Sequence, residues 1–285
     1  MNIKIFGDGC LHLNTKLNDQ LEKFKFGEIQ ISPGGSATNV ALQLNKLGLK
    51  VDFNGIVGDD PYGELFCKLL KEEDIKINKI IRNGTTHKVL ISTNPPQEAN
   101  VTIDLGNINI DLLKQFTEGI DNGDFVYVPG FDSYHPLLEE ISKKNCTIFT
   151  DYGHLSLENN TNNYLEGLRE VAQFSDIILA SGFKFNRELF KVLNPIIKES
   201  RCRYLIITYS GEGVLIIDKN GIETYFEMKK EKVCNNIGAG DSFMGAVIYG
   251  IYNNWKLERV IDFAHKVASL RIQFFNHIPS LEEIE

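Results

Sequence analysis

The chain has 285 residues, 42% of them hydrophobic, and a formal net charge of −8. That supplies enough apolar content for one large α/β domain or two ordinary ones. With an acidic balance and no long basic run, neither a nucleic-acid nor an anionic-membrane partner is expected. No apolar run approaches the roughly 20 residues that cross a bilayer. Cys10, Cys67, Cys146, Cys202 and Cys234 are scattered and form no CxxC pair, so neither a disulfide framework nor a zinc site is indicated. The expectation is a reduced, cytoplasmic protein, and Met1–Phe6 reads as a strand rather than a signal peptide.

Residues 2–7 form an apolar strand ending in Gly7-Asp8-Gly9. Residues 13–31 read as mostly non-helical. Over 36–47, Val40, Leu44 and Leu47 recur at helical spacing, with Gly48 as a C-terminal stop. Val51–Val57 is strand-like, and Pro61 opens a helix with Leu65, Leu69 and Leu70 on one face. Strands follow at 125–128, 147–150, 176–180 and 204–208, separated by helices near 134–144, 161–173 and 186–199. Short apolar strands alternating with amphipathic helices predict a doubly wound, mostly parallel sheet covered on both faces. Two segments break the alternation. Val214–Asp218 and Glu223–Met228 flank Lys219-Asn220-Gly221, a hairpin signal. Thr85–Thr93 and Ala99–Asp104 flank Asn94-Pro95-Pro96 as two further strands. Lid strands from about 13–31 and 80–105 are therefore expected to form a small sheet inserted into a single domain over 1–285.

Three glycine-bearing clusters carry the chemistry. In Asn235-Asn236-Ile237-Gly238-Ala239-Gly240-Asp241, paired glycines open a helix whose first amides and positive end suit phosphate. Asp241 would repel a bare phosphate, so it reads either as a helix cap or as a base taking the proton of an attacking hydroxyl. Pro33-Gly34-Gly35-Ser36-Ala37-Thr38-Asn39 lets a small molecule approach the backbone, and Asn39 can both donate to and accept from a polyol hydroxyl. Thr208-Tyr209-Ser210-Gly211-Glu212-Gly213 follows an apolar strand directly, where α/β sheets hold ligands. Asp59 and Asp60 precede Pro61 and read as helix caps rather than ligand groups.

Together these clusters resemble the PfkB/ribokinase family of carbohydrate kinases. Gly34-Gly35 through Asn39, with Gly58-Asp59-Asp60 and Gly63, is similar to the family's N-terminal signature. Asn235–Asp241, about two hundred residues later, is similar to its Asp-Thr-x-Gly-Ala-Gly-Asp motif. The resemblance implies a ribokinase-like, Rossmann-like core with a β lid, use of ATP and Mg2+, a small-molecule sugar substrate and a homodimer formed through the lid. It assigns Asp241 as catalytic base and Gly238, Ala239 and Gly240 as the anion hole. Gly34, Gly35, Asn39, Asp8 and His12 fall at substrate positions. Thr208, Ser210, Gly213, Asn236, Gly238 and Ser269 fall at nucleotide positions. Gly7-Asp8-Gly9-Cys10, Asp104-Leu105-Gly106, Ile148-Phe149-Thr150-Asp151 and Gln273 are similar to fructoselysine 6-kinases within the family.

Several positions depart from the pattern. His12 stands where the family places a hydroxyl-binding Asp, with Asp8 nearby as a substitute. Asn235-Asn236 replaces Asp-Thr. Ser181-Gly182-Phe183-Lys184 replaces the Asn-x-x-Glu tied to magnesium, with Glu188 four residues on, and Ser210 replaces a glycine. The metal ligands are therefore undetermined. A nucleoside kinase and a non-catalytic sugar- or nucleotide-binding member remain as alternatives.

Overall fold

The apolar segments of the sequence become the strands of an α/β structure. The computed structural model describes residues 1–21, 24–93, 100–153, 161–181, 187–209, 212–227, 233–234, 236–274 and 277–284. The chain falls into two units, Met1–Lys4 with Lys114–Lys230 and Ile5–Leu113 with Glu231–Glu285.

The first elements in chain order are β1 (Ile3–Asp8), β2 (Cys10–Leu21), β3 (Phe24–Gly34), α1 (Ser36–Lys46), β4 (Val51–Val57), α2 (Pro61–Glu72), β5 (Lys76–Arg82), β6 (His87–Thr93) and β7 (Asn100–Asp104). β4 lies between β1 and β5 and is parallel to β5. β2, β3, β6 and β7 form a separate sheet in the order β3-β2-β6-β7, in which only the β2–β6 pair is parallel. Ile80–Arg82, read from the sequence as the start of the inserted sheet, instead completes β5. Ile80, Ile81 and Arg82 continue the parallel register against Gly55, Ile56 and Val57. Residues 94–99, with the Asn94-Pro95-Pro96 turn, lie outside the described residues. Asp60 caps α2 as its sequence suggests, its Oδ1 accepting from the Gly63 amide at 2.8 Å.

The other unit carries β8 (Phe125–Tyr127), α3 (His135–Ser142), β9 (Thr147–Tyr152), α4 (Thr161–Phe174), β10 (Ile177–Ser181), α5 (Arg187–Lys198), β11 (Tyr204–Thr208), β12 (Gly213–Asp218) and β13 (Glu223–Glu227). β8 through β11 are parallel; β12 and β13 close the edge antiparallel. The turn between the last two is held by Asp218, whose Oδ1 accepts from the Asn220 and Ile222 amides at 2.9 and 2.8 Å. Leu168, Val171, Leu193 and Ile197 from the helices pack with Ile178, Leu205 and Ile207 from the sheet. The architecture is thus α/β, with a mostly parallel sheet and a smaller, largely antiparallel one.

The chain ends in α6 (Ala239–Tyr252), α7 (Leu257–Gln273) and α8 (Leu281–Ile284). α6 buries Phe243, Met244, Val247 and Ile248, each contributing roughly 1.5–3 kcal/mol. It approaches α1 closely at Gly245, where a Cβ would meet the Gln43 side chain at 2.9 Å. That approach brings the first turn of α6 to the first turn of α1. Among the described residues no helix is long and apolar enough to cross a membrane.

Candidate active site

Gly238 is the N-cap of α6 and adopts φ 80°, left-handed backbone that an L side chain enters only with strain. Ser242 closes the first helical bond, its amide donating to the Gly238 carbonyl at 2.9 Å, while the Ala239 amide donates to the Asn236 carbonyl. Gly240 is exposed, and a Cβ there would meet nothing within 4 Å. Open space therefore lies beside Gly240, in the first turn of a helix whose start carries partial positive charge. Asp241, half-buried in this first turn, accepts a 2.7 Å hydrogen bond at Oδ2 from Asn39 Nδ2. Two motifs 202 residues apart meet at this bond.

His12, on β2, is 8% exposed and lies over Gly34. Its Nε2 accepts from the Gly35 amide at 3.2 Å, which puts the ring proton on Nδ1. Burial, together with the positive charge of Arg271, pushes His12 down to about 4. An unfolded histidine takes up its proton below about 6.5, the folded one only below about 4. The stability this difference confers is complete above the upper value and is lost as pH falls between the two, on the order of 3 kcal/mol in total. Thermal melts should therefore decline from pH 7 to pH 5 in the wild type and decline less in His12→Gln. Equal slopes would refute the buried neutral imidazole.

Asp8, at the end of β1, is paired with His87 Nδ1 at 2.6 Å. His87, on β6, is thus tied to a residue expected at the substrate position. Arg271, on α7, was not singled out by any motif. It is 6% exposed and faces Gly238, where a Cβ would lie 3.1 Å from Nη2 and 3.3 Å from Nε. Burial lowers its affinity for the proton, and the Asp241 carboxylate opposes that shift. Ser269, also on α7, is buried with its hydroxyl 3.3 Å from His265 Nε2.

The remaining expected nucleotide residues belong to the other unit. Thr208 ends β11, its Oγ1 donating to the Ala180 carbonyl at 3.4 Å. Gly213 opens β12, and its carbonyl accepts from the Tyr209 amide at 2.9 Å. Ser210 and Asn235 lie outside the described residues, as do Gly182, Phe183 and Lys184; Asn236 is exposed. The α6 start, with open space at Gly240 and a buried guanidinium near Gly238, suits an anionic phosphate group. Magnesium finds no comparable set: among the described residues, no group of three His, Cys, Asp or Glu could hold a metal ion.

A mostly parallel α/β sheet and a glycine-opened helix are an arrangement suited to binding phosphate groups. The chain belongs to the pfkB family of carbohydrate kinases, whose family model matches residues 11–284. It is therefore a kinase of the ribokinase-like fold, a phosphotransferase acting on a sugar hydroxyl. A relative named 5-dehydro-2-deoxygluconokinase, from Listeria innocua, is 24% identical over 98% of this chain and 93% of its own length. The structure of phosphofructokinase-2 from Escherichia coli in complex with substrates and products shares the fold, with a TM-score of 0.79 at 17% identity, covering 99% of this chain and 97% of that one. A Burkholderia thailandensis nucleoside kinase in complex with inosine matches with a TM-score of 0.77 at 17% identity, over 99% of this chain and 94% of that one. The named kinase relative supports a sugar-derivative kinase but bears a different substrate name from the fructoselysine 6-kinases suggested by the four short matches along the chain.

Proposed function

We propose that the chain transfers a phosphoryl group from ATP to a hydroxyl of a sugar derivative, with Asp241 as general base. The observation that carries this reading is the 2.7 Å bond from Asn39 to Asp241 at the mouth of the α6 helix start. Asn39 orients the carboxylate and, with Gly34 and Gly35, borders the acceptor. Asp8 and His12 complete that side, His12 as a neutral group. Asp241 takes the proton of the attacking hydroxyl as the new P–O bond forms and the bond to the leaving ADP breaks. The amides of Gly238 and Gly240 receive the charge of the transferring group; that of Ala239, expected to join them, donates instead to the Asn236 carbonyl.

When bound, ATP supplies the phosphoryl group. Thr208, Ser210, Gly213, Asn236, Gly238 and Ser269 are its proposed contacts. No protein ligand is assigned to the accompanying Mg2+, which would supply charge neutralisation at the phosphates.

Two substrate classes follow. A fructosamine such as fructoselysine is supported by the Gly7-Asp8-Gly9-Cys10 start, and the compound for which the Listeria relative is named is supported by that relative's coverage. ADP release should be measured over fructosamines, 5-dehydro-2-deoxygluconate, simple sugars and nucleosides. Turnover on either of the first two identifies the class. Turnover confined to nucleosides establishes the nucleoside-kinase alternative, and binding without turnover anywhere establishes a non-catalytic member. Five unpaired cysteines, four of them buried, support a cytoplasmic place of action.

We further propose that the four-stranded sheet acts as a lid and pairs with that of a second copy. Register sets Leu13 between Ile31 and Leu90 on one face. Ile31 is 50% exposed, Leu90 43% and Ile29, also on β3, 70%. An apolar row of this kind on an open sheet is commonly an interaction site. Ile31→Lys should convert a dimer to a monomer in sedimentation without lowering the melting temperature. A wild-type chain that sediments as a monomer at micromolar concentration would end the proposal.

A further inference from the structure

The apolar stripe of α7 runs Val260, Ala264, Val267 and then Arg271, spaced by four, three and four residues, and all four are buried. A charge on such a stripe is costly unless the fold uses it. Here the guanidinium is fully placed. Nη1 donates to the carbonyl of His277, while Nε and Nη2 face Gly238, two residues from the open space at Gly240. Its charge also reaches Asp241 and His12. The three residues ahead of Gly238, Asn235-Asn236-Ile237, add no further carboxylate to that of Asp241.

A helix start alone supplies roughly half an elementary charge. A buried guanidinium adds a whole one where water does not screen it fully, in part balanced by the Asp241 carboxylate. Its planar fork also props the left-handed Gly238 turn, fixing the direction of the amides that follow.

We infer that Arg271 is a positioning residue for phosphoryl transfer, holding the Gly238 turn in place and making the α6 start cationic enough to stabilise the transferring group. It acts through Gly238 and the field at the helix start rather than by touching the sugar. The inference rests on the reading of the α6 start as the phosphoryl site. A purely structural tie between α7 and the His277 carbonyl would place the same residue there but predicts different kinetics.

The test uses the full chain with the sugar identified by the ADP-release screen. Arg271→Met keeps bulk and removes charge; it should lower kcat by about 10²-fold, the typical loss for one donor of an anion-binding catalytic site, with the sugar KM changed little. Arg271→Lys should fall between wild type and Arg271→Met. In Arg271→Ala, millimolar guanidinium should restore part of kcat, and urea at the same concentration should not. Arg271→Met with kcat within about threefold of wild type would overturn the inference. So would an Arg271→Ala loss that guanidinium leaves untouched while the melting temperature falls. If Arg271→Ala does not fold, the order of the Lys and Met variants decides. Asp241→Asn is measured alongside. Full activity there defeats the phosphoryl-site reading itself, whereas an inactive Asp241→Asn with an active Arg271→Met defeats only the role of Arg271.

Discussion

Replacing Asp241 with Asn is expected to lower kcat by about 10²-fold or more while nucleotide binding largely survives. Asn keeps the shape and can still bond Asn39, so α6 and its contact with α1 should persist. What disappears is a group able to accept the acceptor proton as the P–O bond forms. Steady-state ADP release, with nucleotide affinity measured by calorimetry, separates the two effects. If turnover persists at near wild-type rate, another group takes the proton. If nucleotide affinity collapses with turnover, the substitution has disturbed the helix start rather than the base.

Replacing Gly238 with Ala is expected to damage both stability and turnover. The residue would have to hold φ 80°, costing about 1–2 kcal/mol, and its Cβ would press to 3.1 Å from Arg271 Nη2. Relief requires rotating the turn or moving a buried guanidinium, and either redirects the amides of Ala239 and Gly240. The melting temperature should fall by several degrees and kcat by about 10²-fold. Gly48 supplies the control. Its φ is 85°, but a Cβ there meets nothing within 4 Å, so Gly48→Ala carries backbone strain alone. Gly238→Ala should lose at least as much stability as Gly48→Ala, and only Gly238→Ala should lose turnover. Equal turnover in both would remove Gly238 from the site.

Much of the frame was legible in the sequence because it rests on local signals. Val40 and Leu44 gave α1 its period, Pro61 marked the start of α2, and Lys219-Asn220-Gly221 marked the turn between β12 and β13. β5 was harder, since Lys76–Arg82 is a half-exposed strand whose apolar residues show no clean alternation; its place is set by pairing with β4. The glycine clusters were legible one by one. The Asn39–Asp241 bond was not, because it exists only once Gly245 lets α6 settle against α1. His87 and Asp8 are likewise joined across 79 residues. Arg271 did leave a trace in the sequence, a lone charge on the apolar stripe of α7. Composition-level reading takes such a residue for a solvated one, and only packing shows that it faces Gly238.

The most direct measurement is a crystal structure of the chain with ADP, aluminium fluoride and the sugar that supports turnover. The fluoride should sit within hydrogen-bond distance of the Gly238 and Gly240 amides, with the acceptor hydroxyl between it and an Asp241 carboxylate oxygen. Fluoride bound away from those amides, or a sugar hydroxyl out of reach of Asp241, would contradict the assignment.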